Sequence, residues 1–265
     1  MNQVDWSSTT LVIIPVFAML VAFISNMAGI GGGGLLVLFF LYYIGTSSVS
    51  ASGLSLITIA TSSVAGSFSN IRHGHVNTKL FRVLLIFALI GIVLGSLLSF
   101  IVPTNIFKGV FGLIPIAIGT TSLVLTLKEK EISDHVEPKK YFDRGTSLSA
   151  LAAGIVSGFT GIGIGGITGT YLTSVKKMRP KTVFSTLILT MILTSVLGGL
   201  IHLSSFKFSK NTELYIPLLI IGAAIGALAG ARVSGVVRSR SLRLFQGITI
   251  ISIGLLAISI YLITR

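Results

Sequence analysis

The chain has 265 residues, of which 52% are hydrophobic and only 10% charged, with a mean hydropathy of +0.95. This balance excludes an ordinary soluble domain and places the chain among integral membrane proteins. The absence of cysteine excludes disulfides, thiolate metal sites and thiol redox chemistry. The net charge of +13 lies in short links between apolar runs, where it orients a membrane protein, and no nucleic-acid-binding signature accompanies it.

In chain order, Met1-Asn2-Gln3-Val4-Asp5-Trp6 lacks the positive n-region of a signal peptide, so Leu11 to Ala28 is expected to remain in the mature protein. Apolar segments run over 10–28, 35–44, 49–69, 80–102 and 106–127, then over 147–160, 167–175, 182–203, 214–232 and 243–263. Two glycine-rich breaks interrupt them. The first is Ala28-Gly29-Ile30-Gly31-Gly32-Gly33-Gly34 and the second Thr160-Gly161-Ile162-Gly163-Ile164-Gly165-Gly166. Between the halves, Lys128 to Arg144 is strongly polar, with five basic and five acidic residues, and reads as a solvated linker.

The halves repeat in register. At an offset of 132, Ser25, Gly29, Ile30, Gly31, Gly33 and Gly34 match Ser157, Gly161, Ile162, Gly163, Gly165 and Gly166. Thr58, Ser63, Val64 and Gly66 likewise match Thr190, Ser195, Val196 and Gly198, and at 131 Gly91 and Gly95 match Gly222 and Gly226. Hydrophobicity alone does not hold glycines and hydroxyls in register. The expected organisation is a first repeat over 1–127, a cytoplasmic linker over 128–146 and a second repeat over 147–265.

Segment lengths give each repeat a hairpin and three crossings. At 1.5 Å per residue, 147–160 reaches about 21 Å and 167–175 about 14 Å, short of a ~30 Å hydrocarbon core. Placing 70–82, 128–146, 174–183 and 232–243 inside puts 16 Lys and Arg there against 4 outside, a strong positive-inside bias. With a hairpin plus three crossings, the repeats are inverted. Ser48 and Lys207 then face outside, and His75, Lys177 and Ser239 inside. The fold expected is all-α, multi-pass in the cell membrane, with two inverted repeats.

Backbone broken at membrane depth survives only where it is buried in protein or lines a wet cavity, and paired breaks in the two halves point to a transporter's binding site. The returning legs start near Gly32 to Leu35 and Gly165 to Ile167, where free N–H groups and positive dipole ends suit a small anion. Glycine permits close approach of backbone to ligand. The glycines expected at the substrate are therefore Gly31, Gly32, Gly33, Gly34, Gly163, Gly165 and Gly166. Hydroxyls nearest the tips, Ser52, Ser55 and Thr58 with Ser185, Thr186 and Thr190, can donate to an oxyanion without adding charge. Membrane serines and threonines also bond their own helix carbonyls. Helix packing alone explains Gly91, Gly95, Gly222, Gly226 and Gly230.

No Asp, Glu, Lys or Arg is expected well inside an apolar segment, which disfavours cation transport and carboxylate proton relays. His202 is the candidate for proton coupling. Both breaks match G-x-G-x-x-G, but no preceding strand or downstream acid supports a dinucleotide, and the pattern calls for neither cofactor nor metal.

At the glycine motifs the chain resembles the TauE/SafE family of membrane permeases, described as exporters of sulfite and organosulfur anions. The resemblance rests on Ala28 to Val37 (AGIGGGGLLV), the Ser/Thr-rich segment through Gly66, Arg72-His73-Gly74, and Gly161 to Ile167 (GIGIGGI). Leu38 departs from a proline common after the first motif, and Ile164 interrupts a commonly unbroken second glycine run. The resemblance implies anion transport, with export of sulfite, a sulfonate or a related oxyanion. An anion channel, an intramembrane enzyme built around Ser50-Ala51-Ser52-Gly53, and a membrane assembly factor remain open alternatives.

Overall fold

The computed structural model describes residues 8–72, 74–128, 142–204 and 212–264, and these form helices with no strand. In chain order they are α1 (Ser8–Ala28), α2 (Gly33–Leu38), α3 (Ser48–Arg72), α4 (Thr78–Ile101) and α5 (Thr104–Lys128). The second half gives α6 (Arg144–Thr160), α7 (Gly165–Thr170), α8 (Pro180–Leu203), α9 (Thr212–Val236) and α10 (Ser239–Ile263). Six of them, α3 to α5 and α8 to α10, are long and apolar enough to cross a membrane. These are the three long segments expected in each half.

Local chemistry sets several boundaries. The Asn77 side chain accepts the Leu80 N–H at 2.9 Å, and Asp143 accepts the Thr146 N–H at 3.0 Å, satisfying donors that a helix start leaves open. The Asp143 cap starts α6 at Arg144, three residues before the apolar run. Both short returning legs widen before they end: α2 passes into a π turn over Phe39–Tyr43 and α7 into one over Tyr171–Val175. The closing bonds match between halves, Ile44 N–H to Phe39 O and Lys176 N–H to Tyr171 O, both 3.1 Å.

Helix pairing is reciprocal. The first helix of each half lies along the fourth of the other, α1 on α9 and α6 on α4, while α3 packs on α8 and α5 on α10. The set maps onto itself when the halves are exchanged. Small residues make these crossings close, as association in lipid requires. A Cβ on Gly222, Gly226 or Gly230 would fall 2.1, 1.9 and 2.2 Å from the carbonyl oxygens of Pro15, Met19 and Phe23. One on Gly91 or Gly95 would fall 2.3 and 2.0 Å from those of Leu151 and Ile155. Where α5 meets α10, a Cβ on Gly119 falls 2.7 Å from Ile251 N and one on Gly254 falls 2.8 Å from Ile116 N. Those pairs define a third register, at an offset of 135, which sequence reading missed.

Long-range contacts sort the links to two ends of the bundle. At one end the Asn77 N–H reaches Thr186 Oγ1, Lys181 reaches the Gly235 carbonyl and Lys176 pairs with Asp143. At the other, Ser48 bonds Thr104 and the Phe100 ring meets the edge of His202. Between the ends, Ile86, Ile90, Leu94 and Leu97 on α4 and Ile221 and Ile225 on α9 are exposed, an apolar belt suited to lipid.

Candidate functional site

The two breaks meet backbone to backbone. Gly29 and Gly31 take φ of +63° and +99°, and their register mates Gly161 and Gly163 take +72° and +101°, conformations that glycine reaches without a Cβ penalty. A Cβ on Gly33 would lie 1.9 Å from Gly161 O, and one on Gly165 would lie 1.8 Å from Gly29 O. Cβ atoms on Gly31 and Gly163 would each lie 2.9 Å from the other's Cα. The Gly33 N–H that opens α2 donates to Ile162 O at 3.2 Å. In this arrangement the room a side chain would need is filled by the opposite break, and no anion-sized gap separates Gly31 from Gly163.

The breaks differ at one register position. Gly32 is left-handed at φ +66° and packs on Ser25, whereas its mate Ile164 is right-handed at φ −83° and buried. Beyond the tips, Gly34 and Gly166 face α10 and α5, with Cβ positions 2.8 Å from an Ile253 methyl and 3.2 Å from an Ile118 methyl.

Of the six candidate hydroxyls, two sit at the tips. Ser55 Oγ lies 2.7 Å from Gly161 O and 3.1 Å from Gly33 O, joining both breaks. Ser52 Oγ donates to Phe159 O at 3.4 Å, and its Cα lies against Gly161. Thr58, Thr186 and Thr190 donate to carbonyls one turn back in their own helices, the common use of a membrane hydroxyl. Thr186 also accepts from Asn77, away from the tips, and Ser185 is buried. His202 is fully buried, its Nε2 2.9 Å from Gly158 O, which ties the end of α8 to the end of α6.

The assignment of Arg243 to the link 232–243 is corrected by its place in α10. This residue, on the second turn of α10, is 1% exposed, and its Nη2 donates to Ser174 Oγ at 2.7 Å. One turn further, the fully buried Gln246 donates from Nε2 to Gly165 O at 3.0 Å. Sequence reading counted Arg243 as a loop charge. The missed signal was the 135 offset, which sets Lys108 to Gly112 (KGVFG) against Arg243 to Gly247 (RLFQG).

Outside the spans, Asp143 and Lys176 tie the start of α6 to the end of the second returning leg. Burial alone would raise the Asp143 carboxyl, but hydrogen bonds from Lys176 and Thr146 outweigh it and hold the group below its ordinary range. Beside α7 runs an apolar groove of about 340 Å³, lined by Ile118, Thr121, Ile167 and Tyr171 among others.

A protein-family model described as "Sulfite exporter TauE/SafE" matches residues 14–257. The "Probable membrane transporter protein YunE" of Bacillus subtilis (strain 168) is 25% identical over 266 residues, covering 92% of this chain and 96% of that protein. No solved structure matches.

Proposed function

The chain belongs to the sulfite exporter TauE/SafE family of membrane transporters, and from that premise we propose that it is a secondary transporter exporting a small anion. Sulfite, a sulfonate or a related oxyanion is the substrate class. Repeats over 1–127 and 147–265, joined by the linker 128–146, are inverted in the bilayer and alternate access around the two breaks. The observation that carries this reading is the contact between the breaks. When they part, the Gly33 N–H loses Ile162 O and becomes a donor at a helix start, where an anion can replace the carbonyl. Ser55, between Gly33 O and Gly161 O, is placed to add a hydroxyl. The site comprises the seven glycines of the two breaks expected at the substrate, with Ser52 and Ser55. Thr58, Ser185, Thr186 and Thr190 line the path only if their helices turn during the cycle.

Reconstituted into liposomes, the protein is expected to give saturable flux of sulfite and of a permanently ionised sulfonate, without sodium flux. Flux that rises linearly with concentration would replace the transporter by a channel. The same assay across pH reads His202. Proton coupling there predicts pH dependence with the sulfonate that vanishes in His202→Gln.

The topology has a separate test. Basic residues gather at the end of the bundle carrying Asn77, Lys176 and Lys181, which supports placing that end in the cytoplasm. Because the chain lacks cysteine, single substitutions report side directly. Ser48 is buried, so its exposed neighbour Ser47 serves for the outer end; Lys207 lies outside the described residues. Impermeant maleimide on intact cells is expected to label Ser47→Cys and Lys207→Cys, and to reach His75→Cys, Lys177→Cys and Ser239→Cys only after permeabilisation. Labelling of Lys177→Cys from outside overturns the inverted arrangement.

A further inference from the structure

We propose that the groove between α4 and the start of α6 binds an anionic phospholipid, with its phosphate on Arg144 and an acyl chain over Phe87 and Leu148. The groove measures about 480 Å³ and is lined by Phe87, Phe142, Asp143, Arg144, Ser147 and Leu148. Its size falls within the range of sites for small ligands. None of these residues belongs to the glycine breaks. The groove lies at the end of the bundle that carries Asn77, Lys176 and Lys181.

Its lining divides into an apolar part and a polar part, as a phospholipid does. Phe142 and Leu148 are exposed, and the Phe142 ring stands 6.1 Å from that of Phe87. Ile90, one turn beyond Phe87 on α4, carries this surface on into the exposed apolar belt. Arg144 is the first residue of α6. It is exposed and makes no ion pair among the described residues. At the edge of a span, an arginine stem lies along apolar surface while its head reaches the polar layer. Its planar fork matches a phosphate with two parallel bonds, and Ser147 brings a hydroxyl to the same groove. Lys79 and Arg82, on the first turns of α4, are also exposed at this end. Basic pockets between spanning helices at a membrane surface take phospholipid headgroups. Asp143 does not cancel Arg144, because its carboxylate is engaged by Thr146 N–H and Lys176.

The repeat supplies an internal comparison. At offset 132, Arg144, Ser147 and Leu148 are matched by Val12, Pro15 and Val16 on α1. Val12 and Val16 are exposed, so the first half keeps the apolar face and lacks both the cation and the hydroxyl. Simple contact with hydrocarbon would need the charge in neither half. Its presence in one commits the occupant to a lipid with a negative headgroup. Arg144 adjoins the Asp143–Lys176 tie, so an occupied groove braces α6 where it holds the second returning leg.

The test exploits the single tryptophan of the chain, Trp6. In a Trp6→Phe background, Leu148→Trp reports on the groove and Val16→Trp on its counterpart. The protein is reconstituted into phosphatidylcholine bilayers containing phosphatidylglycerol or phosphatidylcholine brominated in the upper acyl chain, and quenching reads which lipid sits beside the indole. Phosphatidylglycerol is expected to be favoured about fivefold at Leu148→Trp, the factor that one basic residue near an anionic headgroup is worth. The preference should weaken as salt is raised, fall to about one in Arg144→Gln, and persist in part in Arg144→Lys. At Val16→Trp it should be about one throughout. Phe142→Trp serves as a second reporter should Leu148→Trp fail to assemble. Equal quenching by the two lipids at both groove reporters, or a preference untouched by Arg144→Gln, overturns the proposal. Weak quenching by both lipids in the groove, with strong quenching at Val16→Trp, shows a groove closed to lipid and overturns it too. Flux does not enter the measurement, so the result stands or falls separately from the transport reading.

Discussion

Gly165→Ala is expected to abolish anion flux and to cost about 3 kcal/mol or more of stability, at the upper end of overpacking penalties. Its added methyl would sit 1.8 Å from the Gly29 carbonyl oxygen, and the obstacle is backbone with no rotamer to escape into. Gly33→Ala meets Gly161 O at 1.9 Å and should behave alike. Gly109→Ala is the control. Nothing lies within 4 Å of its Cβ position, so alanine there should be neutral or stabilising by up to about 1 kcal/mol. Thermal unfolding in detergent and flux in liposomes read both quantities. Wild-type stability and flux in Gly165→Ala would mean that the breaks do not meet as described.

Gly95→Ala is expected to lose a comparable 2–3 kcal/mol or so, for the same steric reason, because its methyl would lie 2.0 Å from Ile155 O. The sequence places Gly95 in helix packing, where alanine is expected to be milder for binding than a change at the breaks. What separates the two variants is the ligand. Saturating anion adds stability according to its affinity, about 2.7 kcal/mol at a hundredfold excess over Kd. That increment should survive in Gly95→Ala, whose crossing of α4 with α6 holds no site residue, and disappear in Gly165→Ala. Loss of the increment in both would bring the α4–α6 crossing into the site.

Much of the architecture was legible because membrane depth leaves few solutions. The long apolar runs became α3 to α5 and α8 to α10, and the glycine clusters became left-handed turns between short legs. What glycine is for at Gly33 and Gly165 was not legible. A residue kept small for a ligand and one kept small for an opposing carbonyl look the same in a sequence. Side-chain direction was equally hidden: Ser55 bridges the breaks while Thr58, one helical turn on, bonds its own helix. Arg243 was misread because a basic residue five positions into a helix resembles a flanking charge, and only its packing against Ser174 shows that it is enclosed.

The crossed pairing of α1 with α9 and of α4 with α6 has a consequence for biosynthesis. Neither half supplies the partner for its own first helix. Ala28 leaves the ribosome well over a hundred residues before Thr212, an interval on the order of ten seconds or more at ordinary elongation rates. Through that time the α1 carbonyls of Pro15, Met19 and Phe23 wait in the bilayer for glycines not yet made. Insertion and assembly are therefore separate events in this chain, and the molecule closes only when its penultimate helix arrives.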